Sequence, residues 1–442
     1  MTYRAKAAQV DITPRAQVPL AGFSTRYKPF DGIASPLFIS ALLLQYGSRR
    51  AAIISVDTLS IGKDIQAYIQ AKLPDLSHAS IIVSASHTHF APAIDQELPA
   101  LGRTDEAYLT FMLSRIDALF DDLHMQEWTS CELRRASRVT GLTRKRRAHQ
   151  QVVPRFLEGY LPRGVPRVLN APDFTTTTRS PIDLVGLFAQ HATTPNESPL
   201  ALVWSFACHP VSSADPTHVS ADFIGHVRER IATLSGNKTI SIFLQGFAGD
   251  LRPDIHHWSL APRNMVKSLL VLGPVWADGN KRMAAQWSGA LTREFTSVWE
   301  ALRTANALPT AGDALEARHR QIALSELQTE MPGRTVSLAM QYIRLAEKLS
   351  LFAASGEWLS DWQRHIHSEG ETVLGVAYTG HLFGYLPTDE AISHGGYEVE
   401  GFRLAFGLSG KWRTRIEEQV AEHIRELMGK HRDTPQGGSG MN

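Results

Sequence analysis

Six short apolar runs set the strongest limit on how this chain folds: 51–56, 81–84, 200–207, 240–244, 349–354 and 372–377. None approaches the roughly 18 apolar residues that a membrane-spanning helix needs. Each has strand length and is almost wholly apolar, the pattern of a strand buried on both faces. Between the first two runs, Ile61, Ile65, Tyr68, Ile69 and Leu73 fall roughly on one helical face. Strand, helix and strand there predict a βαβ unit with a parallel pair. Ile416, Val420, Ile424 and Leu427 mark an amphipathic helix that Gly429 should stop. Segments around 265–272, 283–302 and 324–346 also read as helices, so an insertion with helical character is expected at about 255–345. The class is α/β with mixed α+β character. The expected organisation is one domain over 1–430 and a flexible tail over 431–442. The threonine run Thr175–Thr178 reads as mobile too.

Charge narrows the function classes. Lysine and arginine number 45 against 44 acidic residues, a formal net charge of +1. A dedicated nucleic-acid or anionic-membrane binder carries a clear basic excess, so neither partner is expected. Cys131 and Cys208 cannot build a disulfide framework. The first residues, Met1-Thr2-Tyr3-Arg4, hold no apolar stretch of the signal-peptide kind. The expectation is a cytoplasmic protein, with its oligomeric state left open.

Chemistry gathers where the apolar runs stop. The 81–84 run leads into His87-Thr88-His89, and the 200–207 run into His209-Pro210. The 349–354 run leads into Glu357, and the 372–377 run is followed by Gly384-Tyr385. Ligand-binding groups collect at strand ends because strands are rigid and the loops leaving them vary freely. In an extended segment, residues i and i+2 point the same way, so His87 and His89 should reach one site. Imidazole nitrogen suits a borderline metal such as zinc. The common helical zinc-protease motif, His-Glu-x-x-His, is absent. Cys208 has no acid or histidine partner in sequence and reads as a buried wall residue. Asp250, in Gln245-Gly246-Phe247-Ala248-Gly249-Asp250, reads either as a turn cap or as a group orienting a metal-bound histidine. The basic run Arg144-Lys145-Arg146-Arg147 reads first as a solvated charge run, and second as a source of one cation for a substrate oxygen.

Taken in order, these fragments resemble the neutral/alkaline ceramidase family of zinc amidohydrolases. Ala8 to Pro14 looks like that family's opening Gly-x-x-Asp-Ile-Thr-Pro stretch, and Leu20-Ala21-Gly22-Phe23 looks like its Met-x-Gly-Tyr element. Ser55-Val56-Asp57 precedes Ser84 to Pro92, which is close to the family's Ser-Ala-Thr-His-Thr-His-Ser-Gly-Pro. Phe206 to Pro210, Val219 to Asp222 and Gln245 to Pro253 follow in family order. Ser355-Gly356-Glu357 is similar to its Pro-Gly-Glu. Gly384 to Thr388 and Gly396-Tyr397-Glu398 are similar to its final tyrosine segment. Serine replaces the family's proline at 355, and Lys145 its asparagine before the arginine.

The resemblance implies a ceramidase-like catalytic domain without the family's C-terminal immunoglobulin-like domain. It implies zinc held by His87, His209, Glu357 and Tyr385. It implies His89, Arg146 and Tyr397 as catalytic groups, with a basic neighbour of Arg146 as the alternative cation. The twelve-residue interval from Tyr385 to Tyr397 matches the family and favours Tyr385 over Tyr378 as ligand. The implied reaction is hydrolysis of an N-acyl amide, small or lipid-like, by metal-activated water, with ceramide itself not required. The alternatives are an esterase, lactonase or amide-forming enzyme on the same scaffold, and a catalytically silent zinc-binding protein. The insertion should wall the substrate pocket. Its tryptophans 258, 276, 287 and 299 are expected mainly in its own core, and His256-His257 on the surface.

Overall fold

All six apolar runs are strands, and their two faces belong to two different cores. A computed structural model describes residues 2–23, 26, 28–149, 168–190, 198–258, 261–271, 273–329 and 336–429. In Ala201–Phe206 every residue is buried. Leu202, Trp204 and Phe206 face one core, and Ala201 and Val203 the other. Burying a large apolar side chain fully contributes about 1.5–3 kcal/mol, which is why such runs are strands of an inner sheet.

The larger sheet has eight strands. Their order is Ile240–Gln245, Ala201–Phe206, Ser180–Ala189, Thr129–Thr140, Tyr3–Asp11, Phe38–Tyr46, Arg49–Val56 and Ile81–Ala85. Pairing is antiparallel except at the two ends. There Ala201–Phe206 runs parallel to Ile240–Gln245, and Arg49–Val56 parallel to Ile81–Ala85. Helix Lys63–Ala71 makes the second parallel connection and buries Ile65 and Ile69, as the βαβ pattern predicted. The sheet coils until its ends meet: the Ser55 hydroxyl donates to the Phe243 carbonyl at 2.6 Å. The segment after Thr372–Val376 crosses the same gap. Ala377 N–H donates to Gln245 and Tyr378 C=O accepts from Ala85.

Helices Glu106–Met125, Phe223–Ser235 and Lys281–Thr304 cover one face of this sheet. Against the other face packs a four-stranded sheet of Ala317–Ala323, Ser337–Ala346, Leu349–Ala354 and Thr372–Val376. The final helix, Ile416–Leu427, buries Ile416, Val420, Ile424 and Leu427, and Gly429 follows at φ 75°. The architecture is therefore mixed α and β, in the order helix, sheet, sheet, helix.

The helix expected over 324–346 is a correction. Among the described residues of this segment only Leu324–Leu327 is helical, and Ser337–Ala346 is a strand. Its Leu, Met, Ala, Gln and Arg are good helix formers, but propensity is a weak prior. Leu338, Met340 and Tyr342 fill the helix-side core. After the register shift near Arg344, Leu345 and Ala346 fill the inter-sheet core beside Ile343. Two buried faces thus outweigh local preference. The insertion's described helices are Pro262–Val271, Lys281–Thr304 and the single turn Leu324–Leu327. Trp287 and Trp299 of the second belong to the core shared with the large sheet, and Trp258 is exposed. Thr175–Thr178 is tied down, since Thr175 and Thr176 hydroxyls donate to Asp173 and Thr178 to Thr143 C=O. The tail 431–442 lies outside the described residues.

Candidate metal centre

The coiling of the large sheet brings three strand ends to one point. His87 follows Ile81–Ala85, His209 follows Ala201–Phe206, and Ala248 and Gly249 follow Ile240–Gln245. His87 does not lie in an extended segment, as i and i+2 reasoning supposed. Its φ is 62°, a left-handed conformation that is rare for a residue with a Cβ. The turn still brings the rings of His87 and His89 to 5.0 Å, and His87 and His209 are also 5.0 Å apart. Candidate ligand atoms of the three histidines all lie within 4.8 Å of one another.

Each imidazole is oriented by a backbone carbonyl. Nδ1 of His87 donates to Leu59 at 2.8 Å, His209 to Ala248 at 2.6 Å, and His89 to Gly22 at 3.1 Å. A carbonyl oxygen only accepts, so Nδ1 carries a proton, and in the neutral ring the Nε2 lone pair is left free. Among the described residues, Nε2 of His89 and of His209 are buried without a hydrogen-bond partner. Gly22 is required here: it has φ 97°, and a Cβ would lie 2.6 Å from His89 Nδ1.

Glu357 completes the cluster. It starts the short strand Glu357–Trp358, directly opposite Tyr385 in a parallel pair. Its Oε2 lies 3.4 Å from His87 Nε2 and 3.3 Å from His209 Nε2, and all three side chains are buried. Burial, then the charge of Arg146, lowers the His209 pKa to about 4. Burial and the two neighbouring histidines push that of His89 well down. Burial opposes ionisation of Glu357, but His87 and His209 outweigh it and hold the carboxyl below its usual range. With the rings neutral, the Nε2 atoms of two imidazoles and one carboxylate oxygen face each other as lone pairs at 3.3–3.4 Å. Repulsion between them is relieved by a cation. The edge of a tetrahedron with metal–ligand bonds of about 2.0–2.1 Å is about 3.3–3.4 Å. The observed separations match it, so the donors fit a small divalent ion.

The basic run is not a solvated face. Arg144 pairs with Asp254, and Lys145 with Asp361 at 2.7 Å. Arg146 and Arg147 are buried and share Glu398, at 2.8 and 2.7 Å. Arg146 alone turns to the cluster, donating through Nη2 to the Tyr385 hydroxyl and to Gly249 C=O, both at 2.8 Å. Tyr397 stands beside Tyr385, with ring centroids 5.6 Å apart, and is partly exposed. All seven candidate residues from the sequence thus lie in one neighbourhood. Tyr378, which the spacing set aside, is also there. Its φ is 58°, its ring lies 4.2 Å from that of His87, and its hydroxyl is 3.5 Å from Glu357 Oε2.

Other sequence candidates fall outside. Asp250 accepts from Ser360 N–H at 2.7 Å and orients no histidine; the neighbouring Ala248 carbonyl does so instead. Asp222 caps the Phe223–Ser235 helix and holds Ser212 and Ser213, beyond His209. Cys208 is fully buried in the helix-side core, and His256 pairs with Asp254. Sequence reasoning gave Glu398 no role. An acid directly beside Tyr397, set against a basic run with no acid of its own, was the available signal.

A cavity of about 650 Å³ opens beside the cluster, with His89, Arg146, Tyr385 and Tyr397 in its wall. The insertion contributes Ile255, Ala277, Asp278 and Ala284 to that wall, and none of its tryptophans. No helix among the described residues is long and apolar enough to cross a membrane.

No protein-family model and no curated protein matches the chain. Solved structures do. The neutral ceramidase from Pseudomonas aeruginosa superposes with a TM-score of 0.69 at 15% identity, over 97% of this chain and 75% of that one. A ceramidase complexed with C2 gives 0.68 at 14% identity, over 97% and 76%. Over nearly its whole length the chain therefore has the fold of the neutral ceramidases.

Proposed function

We propose that this protein is a zinc-dependent amidohydrolase that cleaves an N-acyl amide, ceramidase-like in its chemistry. The observation that carries this reading is the convergence of His87, His209 and Glu357, whose Nε2 and Oε2 atoms meet at 3.3–3.4 Å while each ring's Nδ1 is held by a backbone carbonyl. These three would hold the ion, with the Tyr385 phenol on the adjacent strand as fourth donor. The nitrogen and oxygen donor set suits zinc. Bound zinc supplies Lewis acidity, polarising a carbonyl oxygen and bringing the pKa of water to about 7.

The chain's own residues do the rest. His89 keeps Nε2 unpaired beside the cavity, so it can take a proton from water and return it to the leaving amine. Arg146 and Tyr397 stabilise the negative charge that develops on the carbonyl oxygen. Glu398 holds Arg146 Nε and is a positioning residue. The wall formed by Ile255, Ala277 and Ala284 excludes water from the acyl group.

The test is elemental analysis of the purified protein together with a panel of N-acyl amides and matched esters. About one zinc per chain and amide cleavage that chelation abolishes and zinc restores are expected. A protein that takes up no metal after remetallation sinks the reading. A subtler result is expected at Gly249. A Cβ there would lie 2.9 Å from Trp358 O and 3.0 Å from Glu357 O, and backbone cannot swing aside. Gly249→Ala should displace Glu357 and weaken zinc binding by about tenfold or more. Competition against a chelator measures it, and unchanged affinity would remove Glu357 from the ligand set.

A further inference from the structure

The cavity beside the cluster carries more positive charge than cleavage of a neutral amide requires. Arg26, Arg146 and Arg252 line it, and among the described residues its one acidic lining residue is Asp278. Arg146 has a buried counter-charge in Glu398, which it shares with Arg147. The other two arginines are not matched in this way.

Arg26 donates to three backbone carbonyls, those of Ala21, His89 and Pro216, and lies over the Phe23 ring at 4.7 Å. No carboxylate among the described residues contacts it, and its Nε–H is buried without a partner. Arg252 donates to Asp278 at 2.5 Å, but that aspartate is 68% exposed and compensates it weakly. The Nε–H of Arg252 is also buried and unpaired. Burial lowers the pKa of Arg26 to about 10, and burial is also the first cause of a lowered value at Arg252. A protein does not keep two desolvated guanidinium groups in one cavity wall without cost. An anionic ligand offsets it, because guanidinium N–H donors match carboxylate oxygens.

We propose that this cavity takes an amide that carries a carboxylate close to the scissile bond, an N-acyl amino acid in chemical class, with Arg26 and Arg252 as its counter-charges. The position follows from Arg26, which is bonded to the backbone of His89 itself, so a group it holds lies beside the cluster. In an N-acyl amino acid the carboxylate is two bonds from the amide nitrogen. The word substrate rests on the amidohydrolase reading; the charge preference rests on the cavity alone.

The experiment is calorimetric titration of the metal-free protein with N-hexanoylglycine and with N-hexanoylethanolamine, probes that differ in the carboxylate. Omitting metal keeps the carboxylate from binding as a metal ligand. The wild type should bind the acid about tenfold or more tightly than the alcohol. Arg26→Gln and Arg252→Gln should each bring that ratio towards one, while Arg26→Lys, which keeps the charge, retains part of it. Circular dichroism identifies a variant that fails to fold, in which case the other arginine carries the test. Equal binding of the two probes by the wild type, or an unchanged ratio in both folded glutamine variants, overturns the proposal. Zinc-loaded protein that cleaves neither probe counts against the amidohydrolase reading and leaves the binding ratio to stand by itself.

Discussion

Replacing His209 by alanine is expected to lower kcat/KM for amide hydrolysis on the order of 10³-fold, about 4 kcal/mol of transition-state stabilisation. His209 is fully buried, its Nδ1–H is held by Ala248, and its Nε2 lies 3.3 Å from Glu357. With the imidazole gone, the ion loses one of its proposed donors. A second readout needs no turnover. Zinc at about 100 times its dissociation constant stabilises the wild type by about 2.7 kcal/mol, and His209→Ala should lose most of that rise in thermal midpoint. His89→Ala separates the two histidine roles. It should keep the zinc-dependent stabilisation while losing about 10²–10⁴ in kcat, the range for general acid–base catalysis. Loss of zinc stabilisation in His89→Ala as well would point to the three-histidine donor set in place of two histidines and Glu357.

Glu398→Ala is expected to destabilise the protein by about 3–5 kcal/mol. Glu398 is 1% exposed and receives one guanidinium on each oxygen, from Arg146 and from Arg147. Removing it leaves two buried cations without a counter-charge, which costs more than the loss of one hydrogen bond. Equilibrium denaturation measures the effect. Activity should fall with it, because Arg146 loses the partner that fixes its Nε. A change under about 1 kcal/mol would mean that water reaches these arginines and that Glu398 does not position Arg146.

The strand ends were legible because burial on both faces demands continuous apolar runs. Those runs stop where the chain must present polar groups. The histidines, Glu357 and Tyr385 follow such stops, so local pattern and family-like order led to the same residues, while Tyr397 came from the family-like order alone. The helix wrongly expected over 324–346 shows the limit of that reasoning. Leu338, Met340 and Tyr342 alternate with the strand period, yet good helix formers surround them, and the choice was made by a partner sheet that a single segment does not reveal. The basic run shows the same limit for charge. Arg144 to Arg147 carry no local acid, yet their partners Asp254, Asp361 and Glu398 lie 110 to 252 residues away.

By itself the sequence determined the alternation of buried strands with helices, the histidine pair and the other side chains of the cluster. These depend on local chemistry: apolar runs, turn residues and donor types. Tertiary structure decided which atoms meet. Coiling of the eight-stranded sheet places His87 and His209 side by side, although their strands stand near opposite ends of it. Left-handed turns at His87 and Tyr378, and carbonyls of Leu59, Gly22 and Ala248, aim the rings. Tertiary structure also left Arg26 with no carboxylate in contact among the described residues, and Arg252 with only the exposed Asp278, in the cavity wall. The physical reason is range. Propensity and hydrophobic periodicity act over a few residues, whereas lone-pair convergence and charge compensation depend on distances that only the packed chain sets.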